Sequence, residues 1–408
     1  MSTYLKLAWR NIWRNKRRTL ITVSAIVFAV MAAVVMQSVN RGSYELMIDR
    51  MVNFNTGYLQ IQDYRYDDEA SLDNTFYFDE ELRERVSATD ERIVSILPRI
   101  ETFMLAANDE STRGAAVFGI EPENEHEVNE IKNYLKDGRF FDLDERKAVL
   151  GEGLARRLQL EVGDTLALIG QGRFGMSASA LFEISGIVEH PMRELNNQVV
   201  YLPLPASQEL LSAEGYISKL MINPEQERHT NRVAESLKNE FEGSESELVV
   251  FTWPGLMPEL LDMMEMDLAG PRFFTLVLYI VIGFGFLGTI LTMTMERLRE
   301  FGVLISVGMK RGRLAAVLFL ETLFISILGS LAGVAVAWLI LKWMDPIALS
   351  GDAAQALIDF GFEPVLPMSF AADQFYTQGF FVFLIAIVVF LFPLIKVMRL
   401  NVLEAARN

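Results

Sequence analysis

Apolar residues are distributed along this chain in two different ways. In four stretches, 19–39, 271–295, 314–341 and 379–397, they follow one another almost without interruption. Each stretch is close to or above the roughly 20 helical residues that a bilayer requires. Between the first and second lies 40–270, polar, mixed in pattern, and long enough to bury a core of its own. The pattern predicts an α+β membrane protein: four transmembrane helices with a large extracytoplasmic α+β domain between the first and second.

Within 40–270 the periods change along the chain. The sequence after the first span keeps Tyr44, Met47, Ile48, Met51 and Val52 at helical spacing, and 258–269 does the same with Leu260, Leu261, Met264 and Leu268. Two helices extending from adjacent spans would form a stalk, the second span beginning at Gly270 and Pro271, where proline suits a helix start. Strands are predicted over 56–63, 115–120, 164–169, 182–189, 199–204, 219–222 and 247–252, and helices over 79–88, 208–212 and 225–241. Residues 147–158 read as a turn into a helix and 121–131 as a polar connection. Alternating strands and helices of this kind suit two small subdomains.

Two short segments flank the spans. Residues 1–18 carry Trp9 and Trp13 four apart among basic residues, as an interfacial helix would. Residues 296–313 place Phe301, Leu304, Ile305 and Gly308 on one helical face with charge at both ends. This is either a contact plate for a soluble partner or an ordinary positive loop.

Charge orients the chain. Residues 1–18 hold Lys6, Arg10, Arg14, Lys16, Arg17 and Arg18 with no acid, and 296–313 hold Arg297, Arg299, Lys310, Arg311 and Arg313 against Glu296 and Glu300. The 342–378 connection holds Asp345, Asp352, Asp359, Glu363 and Asp373, and its only basic residue, Lys342, stands at its start, against the preceding span. Short basic loops stay inside, so both termini, including the 398–408 tail, are expected in the cytoplasm, with 40–270 on the outer side of the membrane. The net charge of −16 then falls mostly outside, which argues against nucleic acid as a partner.

Catalytic and metal chemistry find no foothold. With no cysteine, disulfides and thiolate sites are excluded. His126, His190 and His229 are far apart in sequence, and no phosphate-binding loop or nucleophile elbow is present. Two features inside the third span stand out. Gly329 and Gly333 form a G-x-x-x-G that serves either packing within the chain or dimerisation. Glu321 lies in an apolar run, where it calls for a partner such as Arg297, a wet cavity, or a reach toward the interface.

The layout, together with MERLREFGVLISVGMKRGR, resembles the FtsX/MacB/lipoprotein-releasing family of ABC transporter permeases. The family pattern E-R-x-x-E-F-G-x-L-x-x-x-G is met by Glu296, Arg297, Glu300, Phe301, Gly302, Leu304 and Gly308. The tail PLIKVMRLNVLEAAR is similar to the family's C-terminal motif, departing at Val397, Val402 and Ala406. AVLGEGLARRLQLEVGDTLALI and FEISGIVE resemble its periplasmic core. Size and layout sit nearest the lipoprotein-releasing branch, since MacB-type permeases carry their ATPase ahead of the first span.

The resemblance implies a non-catalytic permease working with a cytoplasmic ABC ATPase dimer, which binds the ATP and Mg, and with a second copy or a sister permease. It places ATPase coupling on Glu296, Arg297, Arg299, Glu300, Phe301, Gly302, Leu304, Val307, Gly308, Met309, Lys310 and Arg311. The implied cargo is an acylated lipoprotein taken from the bilayer, with Val35, Met36, Val39, Phe273, Phe274 and Val277 expected to line the acyl-chain cleft. Arg173, Phe174 and Met176, in 170–180, occupy the position where the carrier-binding member docks a periplasmic carrier. Efflux of peptides or amphiphiles with an adaptor, and regulation of a cell-wall hydrolase, are the alternatives.

Overall fold

The computed structural model describes residues 2–14, 16–241, 247–352, 354 and 365–399. The tail from 400, with Val402 and Ala406, and residues 353 and 355–364 of the 342–378 connection, with Asp359 and Glu363, lie outside the described residues. The chain divides into two compact units. One holds Met1–Glu45, Asp262–Ala348 and Leu366–Asn408; the other holds Leu46–Leu261 and Leu349–Val365.

In the first unit the four apolar runs sit on helices long enough to span a membrane. The first is Lys16–Met51, prolonged by a π-helical turn over Val52–Thr56; the others are Pro258–Glu296, Arg311–Met344 and Ala372–Met398. The first and second exceed their apolar runs most, because amphipathic sequence continues the helical period after 39 and before 271. Gly270 and Pro271 were expected to open the second span, yet Pro271 lies inside a continuous helix. A proline forfeits one hydrogen bond of the ladder. A helix of 39 residues, already committed on both sides, carries that loss.

One core joins the four helices: Ile26, Val30 and Val34 meet Ile282, Phe286 and Ile290, Ile325 and Ala337, and Val382 and Ala386. Close approach of the first and third depends on two glycines. A Cβ on Gly329 would lie 2.6 Å from Ile26 Cγ2, and one on Gly333 would lie 2.8 Å from Val30 Cβ. The G-x-x-x-G thus serves packing inside the chain. Residues 2–14 form the expected amphipathic helix Ser2–Arg14, with Ala8 and Ile12 buried and Trp9 and Trp13 exposed.

Among the described residues the second unit is built on a ten-stranded sheet, in which Leu135–Gly138 pairs at the edge with Ser177–Val188. Six close a ring in the order Ile93–Ala107, Thr112–Ile120, Val199–Pro203, Lys147–Gly151, Ser177–Val188 and Thr165–Gln171, the last returning to the first. Leucine, valine and alanine at alternate positions fill it, with Ile100, Val117, Leu150, Leu168, Phe182 and Val200 inside. A wing of Leu248–Thr252, Leu59–Asp63 and Lys219–Pro224 pairs onto the other half of Ile93–Ala107. The helix Thr230–Phe241 contributes Val233, Leu237 and Phe241 to the same core. The two expected subdomains therefore share one strand.

That 15-residue strand was not anticipated, because Pro98 interrupts a stretch whose two faces are buried alternately and together. The 121–131 segment, read as a polar connection, holds the helix Pro122–Asn129, and it turns Glu125 and Asn129 inward.

Candidate functional site

The 296–313 segment is a bent arm. A short helix, Leu298–Ser306, follows the second membrane helix, with Arg297 at the corner. Its end is set by Gly308, at φ +102°. The Gly308 amide donates to the Ile305 carbonyl and the Met309 amide to the Leu304 carbonyl, both at 3.0 Å. This pair of bonds closes a helix in the Schellman manner, for which glycine is the favoured residue. A Cβ there would meet nothing within 4 Å, so the demand is on backbone conformation alone.

The expected apolar face divides in two. Phe301, 4% exposed, is buried with Leu314 and Leu318 of the third membrane helix and Val397 of the fourth, with Ile305 and Met309 packed alongside. Gly302 is also buried. Leu304 points outward with Val303 and with Val307, which is 83% exposed. Arg299, Glu300 and Lys310 are exposed around them. Arg311 is exposed too and donates through Nη1 to the Met398 carbonyl at 3.1 Å. The inner face anchors the helix and leaves the outer face free to meet another apolar surface.

Ion pairs fix the arm to its neighbours. Arg297 donates through Nη1 to both oxygens of Glu321, at 3.0 and 2.9 Å, and through Nη2 to the Asn11 carbonyl at 3.0 Å. Asn11 Nδ2 donates to Glu321 Oε1 at 2.6 Å. Both charged side chains are almost wholly buried. Glu321 thus has Arg297 as its partner, and further hydrogen bonds from and to Asn11 support the buried pair, while Arg297 Nε is left without a partner among the described residues. A cavity of about 10 Å³ beside them, lined by Thr294, Arg297, Glu321 and Thr322, is the size of one water. Arg14 Nη2 donates to both oxygens of Glu300, at 3.0 and 2.7 Å, and Arg18 pairs with Glu296. Arg14, Arg18 and Asn11 were not singled out from the sequence. No spacing marks these pairs, because Arg14 and Arg18 lie on successive helices and Glu296 and Glu300 on either side of the corner at Arg297.

The other candidate residues lie elsewhere. Val35, Met36 and Val39 are half-buried, the two valines against the four-helix core. Phe273, Phe274 and Val277 are exposed on the second membrane helix. Arg173, Phe174 and Met176 cap the hairpin between Thr165–Gln171 and Ser177–Val188. That tip is well tied: the Phe174 amide donates to Asp73 Oδ1 at 2.6 Å, and the Arg173 amide donates to the Leu211 carbonyl at 2.9 Å. The Arg173 guanidinium lies 3.5 Å from the centre of the Tyr216 ring. Phe174, at φ 54°, and Met176 project into solvent. Among the described residues no group of three acidic or histidine side chains is placed to hold a metal ion.

Comparison with known proteins adds to this geometry. Residues 19–240 match the family described as MacB-like periplasmic core domain, and 272–402 match FtsX-like permease C-terminal. The lipoprotein-releasing system transmembrane protein LolC of Neisseria meningitidis is 22% identical over 80% of this chain and 77% of its own length. The macrolide export ATP-binding/permease protein MacB of Wolinella succinogenes is 22% identical over 81% of this chain, and the pyoverdine export ATP-binding/permease protein PvdT of Pseudomonas aeruginosa 21% identical over 82%. The chain spans only 52% and 50% of the length of those two proteins. Among solved structures, the periplasmic region of MacB from Actinobacillus actinomycetemcomitans aligns with 50% of the chain at 16% identity and a TM-score of 0.35.

Proposed function

Because the chain belongs to the MacB- and FtsX-like family of ABC transporter permeases, we propose that it is the non-catalytic permease of a complex whose ATP and Mg are bound by a separate cytoplasmic ATPase dimer. In this reading it sits in a bacterial inner membrane with both termini cytoplasmic, paired with a second copy or a sister permease. The observation that carries the reading is the short helix Leu298–Ser306. Its inner face is fixed by Phe301 and Ile305 and its corner by Arg297 and Glu321, while Val303, Leu304 and Val307 are left exposed. An element anchored so firmly to the third and fourth membrane helices can pass a push from an ATPase into the bilayer. The basic residues around it support its placement on the cytoplasmic side.

The cargo we propose is an acylated lipoprotein, drawn out of the membrane and released on the far side. Two findings favour it: the match to LolC covers most of that protein, and the second membrane helix exposes Phe273, Phe274 and Val277, a surface suited to acyl chains. The tied hairpin at Arg173, Phe174 and Met176 is where a carrier would dock in this reading. A second reading, export of a small amphiphile with an adaptor, is favoured by the matches to MacB and PvdT. Reconstitution of the permease and its ATPase with a fluorescent triacylated lipoprotein separates the two. Lipoprotein release dependent on ATP is the expected outcome. Retention of lipoprotein alongside ATP-dependent movement of an amphiphile would replace the first reading with the second.

A further inference from the structure

The last turn of the first membrane helix ends on buried charge. The carbonyl of Phe54 accepts from Arg99 Nη1 at 2.7 Å, and the carbonyl of Asn55 accepts from Lys219 Nζ at 2.8 Å. Both carbonyls belong to the π-helical turn Val52–Thr56. The carbonyls of a final turn have no partner within the helix, and together they carry the negative end of its dipole. Two cations placed there satisfy both requirements at once.

The cations come from neighbouring strands, and in the ladder Lys219 stands directly opposite Arg99. Like charges so placed repel. Their counterions lie beside them, Glu125 buried and Glu101 partly so: Arg99 donates to Glu125 through Nε and Nη2, and Lys219 Nζ pairs with Glu101 Oε2 at 2.8 Å. The side chains of Arg99, Glu125 and Lys219 are 1%, 2% and 7% exposed. Asn129 Nδ2 completes Glu125 with a bond of 2.7 Å. Burial draws the Lys219 ammonium below its usual range, with Glu101 opposing.

A buried network of charges is a weak source of stability, since apolar side chains of the same volume commonly do as well. What it supplies is geometry. Apolar contacts allow a helix end to slide and rotate, whereas directed bonds to two successive carbonyls fix both its depth and its angle. Phe54 is wedged here as well, its ring 4.7 Å from that of His190 and 5.9 Å from that of Tyr134. Immediately beyond, Gly57 turns the chain at φ 68° into Leu59–Asp63. Arg99 lies on Ile93–Ala107, the strand that the ring and the wing have in common.

We propose that Arg99 and Lys219, held by Glu125 and Glu101, form a clamp that locks the end of the first membrane helix to the shared strand, so that movement of the helix is delivered to both halves of the outer domain. They are positioning residues, and their role in cargo release rests on the permease reading above. Such a clamp gives these four charges a role that packing alone would not.

The test uses the full chain, reconstituted with its ATPase, and charge-balanced variants that leave no lone buried charge: Arg99→Met with Glu125→Gln, and Lys219→Met with Glu101→Gln. Because the chain has no cysteine, spin labels can be attached at Asp49→Cys and Thr112→Cys alone. The clamp predicts one narrow distance between the labels in the parent chain, with or without ATP. In either variant the distribution should broaden while thermal unfolding stays within a few degrees, ATP hydrolysis continues, and release of triacylated lipoprotein falls at least tenfold. Arg99→Lys, which keeps a cation on the carbonyl, should restore the narrow distance. A variant that folds yet keeps both the narrow distance and full release overturns the clamp. If one pair of substitutions prevents folding, the other pair tests the clamp through the same two readouts. A parent chain that releases nothing with ATP defeats the functional reading, and the label distances still judge the clamp by themselves.

Discussion

At the scale of single residues, His190 shows how far burial overrides residue type. Its Nδ1 accepts from the Met192 amide at 3.0 Å, and its ring lies against Phe54 and Tyr201. Burial pulls its pKa down to about 3. The folded chain therefore keeps His190 neutral, whereas the unfolded chain protonates it below about 6.5. With the folded value depressed, the contribution is complete above the unfolded pKa. It is lost as pH falls from about 6.5 toward 3, by up to roughly 1.4 kcal/mol per pH unit. In urea titrations of the detergent-solubilised chain from pH 7 to 4, His190→Gln should flatten the acid loss by about one proton. Parallel curves for the two proteins would show that this histidine does not titrate on unfolding.

Residue type also limited what could be read in advance. Glu321 stood out because an acid in an apolar run demands a partner, and Arg297 was nearby in sequence. Arg99 and Lys219 carried no such signal. Arg99 lies in a stretch for which no element was predicted and Lys219 at the start of a short strand; of the acids that neutralise them, Glu101 comes from that same stretch and Glu125 from a segment read as a connection. Phe301 and Leu304 looked equivalent by helical period, and only packing against Leu314, Leu318 and Val397 separated an anchor from an exposed contact.

At the scale of elements, the membrane helices were legible because apolar length is itself the cause of their formation. Their ends were less so, since amphipathic helix extends the first and second apolar runs and Pro271 did not interrupt it. The glycine pair in the third helix is the firmest element-level feature. A Cβ on Gly333 would lie 2.8 Å from Val30 Cβ and 3.0 Å from the Val27 carbonyl oxygen, so leucine there must push the first helix away. Gly333→Leu should lower stability by about 1–3 kcal/mol, as overpacking of a tight core does. Thermal unfolding in detergent measures it. Gly312→Leu, at a position with open space, serves as the control, and an equal loss at both sites would contradict the packing role.

At the scale of the whole molecule, the chain is a multi-pass membrane protein with a large mixed domain between its first and second spans. Its membrane unit is braced at one end by three ion pairs that tie the arm to the N-terminal helix, to the first membrane helix and to the third membrane helix. Its outer unit begins at a helix end held by two buried cations. Both devices place charge where apolar packing alone would leave freedom.

The exposed face of Leu298–Ser306, in the permease reading, receives the ATPase. This is tested most directly by Val307→Asp, a change at a side chain already in solvent. The expected result is an intact, membrane-inserted permease that no longer copurifies with the ATPase and no longer stimulates its ATP hydrolysis, while Val307→Leu behaves as the parent. Normal copurification and normal stimulation by Val307→Asp would contradict it.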